Sequence, residues 1–286
     1  MPTTFLTDLI NPQVMGDMIE AKIPHMLKFT PFAKVDTSLV GVAGDTKTVP
    51  SWNFIGAAED VAEGAEITTK KLTASSTTFT IKKIMQSVGI SQESINSGLG
   101  DPVGQAESQL AKAIAVKMDA DVLAALLTAT LTYDGSASKI SYGGIVDAVG
   151  VLDEEENTDK VMFIAPAQVT AMRKDADFVD KNKYGNDVMV TGEIGMVGNT
   201  RLVPSKQIVK NSDGNYVCPI VKLEPASTDT EMSESELPAV TYFLKKDTHV
   251  DHEWFPKKQT HDITAAKYGG VALTNAAKVV LATFKA

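Results

Sequence analysis

Apolar and polar residues fall along this chain in blocks whose period changes several times, and the longest block of a single period lies near the middle. From Asp101 to about Thr130 the run DPVGQAESQLAKAIAVKMDADVLAALLTAT reads as one helix. Asp101 is placed to accept from the free N–H groups of the first turn, and Pro102 at the first helical position gives up a donor that has no partner there. At about 1.5 Å per residue this is a rod of about 42 Å. Val103, Ala106, Leu110 and Ile114 share a stripe in its first half. Val116, Met118, Val122, Leu123, Leu126 and Leu127 make the second half apolar on most sides, so the second half is expected to be enclosed and the first wet on one face. Lys117 and Asp121, one turn apart, are set to pair. Such a helix is either a spine with other elements laid across it or a plain core helix, and what flanks it decides.

The blocks on either side give the organisation. Residues 1–40 read as an irregular arm broken at Pro2, Pro12, Pro24 and Pro31, with one amphipathic piece from Val14 to Ile23 that has Met15, Met18 and Ile19 on one side. An arm so poor in core residues must lie on its own body or on a neighbour. Residues 41–90 read as a long two-stranded excursion: a strand from Thr46 to Phe54, an acidic tip from Gly56 to Glu66, and a β-rich return from Leu72 to Ile90. A lone ribbon is marginal in water, which favours capture of this one by another subunit. Residues 131–240 form an α/β region, with a helix at Tyr142–Leu152, a buried strand at Lys160–Ile164, a helix opened by Pro166, and strands at Arg201–Pro204 and Tyr216–Val221. Two stretches of this region, Gly185–Asn199 and Ser227–Glu236, read as loops. Residues 241–286 are β-rich, with strands at Thr241–Leu244, Val250–Phe255, Val271–Leu273 and Val279–Phe284 and a turn or bulge at Gly269–Gly270. The late strands are expected to pack on the spine, so that 91–130 and 241–286 make one domain. The fold class is α+β.

Composition narrows the function. The 286 residues carry a formal net charge of -9, where a nucleic-acid binder would show a basic face. The single cysteine, Cys218, excludes an internal disulfide framework, suits a reducing compartment and sits among strand formers as a small hydrophobe. The N-terminus has no basic region followed by an apolar run, and no window is apolar enough to span a membrane, so neither a secretory signal nor a membrane partner is expected.

Candidate chemistry is sparse. The phosphate-binding, zinc-protease and nucleophile-elbow motifs do not occur, and no cofactor is implied. Gly192, Gly195 and Gly198 recur every third residue, which is not dinucleotide-binding spacing. The densest set of potential ligands is HVDHE, in which His249, Asp251 and Glu253 share one strand face and His252 points the other way. A metal-dependent enzyme using His249, Asp251 and His252 is one reading; a polar strand face is the other. His25 and His261 stand apart from any such set. The acidic run Asp153–Glu156 reads as a solvated face.

The order of arm, β excursion, spine helix, α/β domain and closing strands resembles the major capsid proteins of tailed bacteriophages with the HK97-type fold. Ala58–Ser91 is similar to the extended loop of that family and its returning strand. Asp159–Phe178 is similar to the strand and helix of its axial domain, and Gly192–Ser205 to the segment that follows. Lys245–Phe284 is similar to the end of its peripheral domain. The resemblance implies an N-terminal arm (1–40), an extended β-hairpin loop (41–90), a peripheral domain with the spine (91–130 and 241–286) and an axial domain (131–240). It implies a virion subunit, assembled in the host cytoplasm, that joins copies of itself into hexamers and pentamers around double-stranded DNA without reading its sequence. The loop would lie over an adjacent subunit, with Trp52, Glu59, Asp60, Glu63, Glu66, Lys70 and Lys71 as intersubunit contacts, and the arm would reach across a neighbour. Met1 leads almost directly into the arm, so a separate scaffolding protein is expected beside a portal. The alternative within the same fold is an encapsulin-type nanocompartment shell.

Overall fold

The computed structural model describes residues 12–52, 56, 58, 60–61, 66–97, 101–154, 158–175, 196–223 and 237–286. The chain opens with α1 (Pro12–Lys22), β1 (Lys34–Asp36), β2 (Thr46–Trp52), β3 (Ala74–Thr80), β4 (Lys82–Ser91), α2 (Gln92–Asn96) and α3 (Pro102–Leu126). It continues through β5 (Leu131–Lys139), α4 (Tyr142–Gly150), β6 (Lys160–Ile164), α5 (Pro166–Met172), β7 (Met196–Val197), β8 (Thr200–Pro204) and β9 (Asn215–Lys222). It closes with β10 (Val240–Phe255), β11 (Thr260–Leu273) and β12 (Val279–Lys285). Two compact units result, one of Met1–Asp45, Thr80–Leu126 and Val240–Ala272, the other of Thr46–Phe79, Leu127–Ala239 and Leu273–Ala286.

The first unit is built on α3, the expected spine. Asp101 accepts from the Gly104 N–H at 3.0 Å, capping the helix where its sequence predicts. The helix stops at Leu126, before the β-branched Thr128 and Thr130, and β5 follows at Leu131. Leu110, Ala111, Ile114, Ala115, Met118, Val122 and Leu126 are buried along one side from end to end. The wet and enclosed halves read from the sequence are therefore not distinct within the chain: Val116 and Leu127 are 51 % and 43 % exposed. Against α3 lies a four-stranded sheet of order β1-β10-β11-β4. The 16-residue β10 replaces the two short strands expected there. Gly269 and Gly270, expected in a turn, lie within β11. A Cβ on Gly269 would stand 2.3 Å from the Tyr242 hydroxyl, so its lack of a side chain makes room for the ring packed over it.

The arm resolves differently from its expectation. Met15 and Ile19 of α1, with Ile23 just beyond it, turn into the same core as the spine, and Met18 faces out at 49 % exposure. α1 packs on β10 at Gly16, whose Cβ position would be in ordinary contact with the Thr248 carbonyl at 3.6 Å. β1 then pairs in parallel with β10 from Lys34 to Asp36. Residues 12–36 thus lie on their own body, one of the two placements expected for the arm; residues 1–11 lie outside the described residues.

The second unit holds a six-stranded sheet of order β5-β12-β9-β6-β8-β7. β6 is buried at all five positions, as a strand covered on both faces is. α4 and α5 begin at the expected residues, Tyr142 and Pro166. The closing strand β12, expected in the domain of the spine, belongs to this unit: it runs inside its sheet, parallel to β5 and antiparallel to β9. Val279, Val280, Leu281, Ala282 and Phe284 are buried, and a strand apolar on both faces belongs in the middle of a covered sheet. β5 was not signalled, because LTYDGSASK is polar and glycine-containing; it succeeds as an edge strand.

Candidate functional site

Among the described residues the excursion is a two-stranded sheet, β2 with β3, joined to no other sheet. Its base closes where Ile81 N–H donates to the Asp45 carbonyl at 2.7 Å, and the Thr48 and Thr78 hydroxyls meet at 3.2 Å across the ribbon. Beyond the strands, Gly56 takes a φ of +98°, and the Lys70 Nζ comes within 3.5 Å of its Cβ position. The described residues of the tip, and the whole stretch 66–73 that leads out of it, are exposed. Ile67 and Leu72 are 60 % and 55 % exposed, in a stretch that carries no core of its own. Of the candidate contacts, Asp60, Glu66, Lys70 and Lys71 are exposed along this segment. Trp52 ends β2, and Glu59 and Glu63 lie outside the described residues.

The chemistry candidates disperse. His249 stacks on Tyr268 with ring centroids 6.0 Å apart and stands 3.6 Å from Asp251. His252 turns to the opposite face and bonds to His261 at 2.8 Å. Among the described residues no group of three or more His, Cys, Asp or Glu is placed to hold a metal ion. HVDHE is thus the polar face of β10. Cys218 is buried in β9 and donates to the Gln168 Oε1 at 3.1 Å; burial pushes its thiol up to about 12, far from a thiolate nucleophile. Gly198 (φ 50°) and Asn199 (φ 61°) make the tight turn between β7 and β8, while Gly192 and Gly195 lie outside the described residues.

Three charged groups missed in the sequence turn out to be structural. Asp119, 3 % exposed on α3, accepts from the N–H groups of Lys28, Phe29 and Thr30 at 2.7, 3.1 and 3.1 Å and from the Thr30 hydroxyl at 2.9 Å. It ties the arm to the spine. The available signal was a carboxylate on the stripe of Ala115, Val122 and Leu126. Glu20 of α1 meets the buried Lys267 of β11 at 2.6 Å. Burial raises its pKa, but the hydrogen bonds from Lys267 and Thr248 outweigh that and hold it below the ordinary carboxylate range. In the second unit Glu154 bridges Lys160 at 2.5 Å and Lys222 at 3.3 Å with its side chain 12 % exposed, so this part of the acidic run is an ion-pair node and not a solvated face. Burial again acts upward on Glu154 and the lysines and Thr158 act downward, with a net lowering.

A sequence profile described as "Phage capsid protein" matches residues 74–247. The major capsid protein of Staphylococcus phage phiMR11 is 36 % identical over 194 residues, covering 67 % of this chain and 70 % of that protein. The capsid of Cyanophage P-SCSP1u superposes with a TM-score of 0.69 at 12 % identity, covering 90 % of this chain and 88 % of that one. The Mycobacterium phage Che8 structure does so at 0.68 and 13 %, covering 90 % of each. At these identities the superpositions establish the fold, which is the HK97 type, and the profile and the Staphylococcus phage relative establish the family; an encapsulin is not favoured. Where the described charged residues pair, cap and pack, they serve a building block: the chain belongs to the phage capsid protein family and is a structural subunit of a virion shell.

Proposed function

We propose that this subunit joins copies of itself into hexamers and pentamers that close an icosahedral shell around double-stranded DNA, and that the excursion of residues 46–80 is the part each copy lays on its neighbour. The observation that carries the reading is the exposure of residues 66–73, with Ile67 and Leu72 outward on a ribbon that no third strand supports. A second copy gives those side chains the cover their own chain does not, and Asp60, Glu66, Lys70 and Lys71 supply charges of both signs around them. A net charge of -9 suits the wall of a DNA container, since every cationic contact to phosphate would add affinity and hold the genome to the wall. A scaffolding protein to set the curvature and a portal to admit DNA complete the partners of such a shell.

The test is electron microscopy of the chain lacking residues 56–66 and of a double variant, Ile67→Asp with Leu72→Asp, beside the parent. Both variants are expected to keep the parental circular-dichroism spectrum and to form few closed particles. Normal shells from both would show that the excursion is not the intersubunit contact.

A further inference from the structure

Residues 37–45 join β1 to β2 as a largely exposed loop, and it carries two valines outward. Val40 and Val42 are 52 % and 53 % exposed. The loop has a fixed shape. The Val40 N–H donates to the Thr37 carbonyl at 3.0 Å, and the Val42 N–H to the Leu39 carbonyl at 3.3 Å. Gly41, with a φ of +76°, turns the chain between the valines, and the Lys245 ammonium donates to the Gly44 carbonyl. Val40 and Val42, with Lys245, Lys246 and Asp247 of β10 and Tyr268 of β11, line a groove of about 450 Å³. Tyr268 is held in place: it stacks on His249 at 6.0 Å, and the Lys83 Nζ lies 5.9 Å from the centre of its ring. All of these residues belong to the first unit.

A groove of this size takes a small ligand or a few side chains, and its chemistry selects the side chains. Two valines and an aromatic ring supply apolar surface, and the rim carries charges of both signs. Asp247 lies 3.5 Å from the buried Lys267, yet its own side chain is 67 % exposed, so it still faces out. Lys246 is exposed beside it. The excursion presents the complement. Ile67 and Leu72 are its uncovered apolar residues, with the exposed Glu66 next to the first and the exposed Lys71 next to the second. An apolar pair thus matches an apolar groove, with an anion for Lys246 and a cation for Asp247. Each surface stays uncovered in the single chain. The two surfaces also differ, so a contact between them is head-to-tail, and contacts of that kind close into rings when the rotation allows.

We propose that this groove receives the excursion of a second copy of the chain. The second copy's Ile67 and Leu72 enter against Val40, Val42 and Tyr268, its Glu66 is set against Lys246, and its Lys71 against Asp247. The proposal rests on the reading of the excursion as the intersubunit contact, and it names the surface that accepts it.

The experiment introduces a cysteine pair into the full chain. Cys218, its single cysteine, is buried and takes no part. Val42→Cys and Leu72→Cys are placed in one chain, the assembled particles are mildly oxidised, and denaturing gels are run without reductant. A ladder of covalent oligomers that ends at pentamers and hexamers is expected. A mixture of two chains with one substitution each should give dimers and nothing larger. A second variant, Val40→Asp with Val42→Asp, leaves the ribbon untouched. It should keep the parental circular-dichroism spectrum and give at least about tenfold fewer closed particles, because assembly would bury two unpaired charges. Closed particles without a ladder, a disulfide formed within one monomer, or normal shells from Val40→Asp with Val42→Asp would each overturn the groove as the receiving surface. If Ile67→Asp with Leu72→Asp still fails to assemble in that case, the excursion remains the contact and only its receiving surface is wrong. If it too assembles normally, both readings fall.

Discussion

Asp119 shows how much one side chain decides in this protein. Its four accepted hydrogen bonds come from three consecutive residues of the arm at the start of the 3-10 turn Thr30–Phe32, whose first N–H groups have no carbonyl of the turn to donate to. Asp119→Ala is expected to cost about 2–4 kcal/mol in denaturant unfolding and to raise amide exchange at Lys28–Thr30 first, because buried donors lose a charged acceptor. Tyr242 makes the opposite case. Its hydroxyl is buried with no hydrogen-bond partner among the described residues, and burial raises its pKa. Tyr242→Phe is therefore expected to be neutral or to stabilise by up to about 1 kcal/mol. Gly269→Ala should destabilise clearly, and Tyr242→Phe should rescue it only in part, since the ring carbon Cζ would still lie 2.7 Å from the new Cβ. Differential scanning of the two single variants and the double variant reads both effects.

At the scale of elements, the sequence was legible wherever burial was one-sided and local. The spine announced itself through its cap and its stripe, and β6 through an unbroken apolar run. Leu123, 9 % exposed, lies on the buried side of α3, so Leu123→Asp should yield no folded chain, as an unpaired charge there costs several kcal/mol; a native-like circular-dichroism spectrum would misplace that face. What was not legible depends on partners distant in the chain. β5 is polar and forms a strand only because β12, far along the sequence, offers it an edge. Gly269 reads as a turn until Tyr242 is known to stand over it. Glu154 reads as surface until Lys160 and Lys222 close on it. The place of the candidate contacts in an excursion was legible, and the copy proposed to cover them would leave no mark on this chain's own pattern.

At the scale of the molecule, acid acts on both units through carboxylates. Glu20 in one and Glu154 in the other both have pKa values lowered from 4.5, so each contributes stability that is intact above 4.5 and is lost as pH falls through the lowered value. The urea midpoint is expected to hold near neutrality and to drop below about pH 4.5, with a shallower drop in Glu154→Gln. The placement of β12 has a further consequence, which belongs to time. Its two neighbours, β5 and β9, precede it in the chain, and roughly sixty residues separate β9 from β12. At a synthesis rate of about 5–20 residues per second, the centre of that sheet waits about 3–12 s on the ribosome for its missing strand. A nascent subunit therefore cannot mature piecemeal. A chain that ends before β12 would expose the open edges of β5 and β9, an invitation to pairing with other chains and to proteolysis.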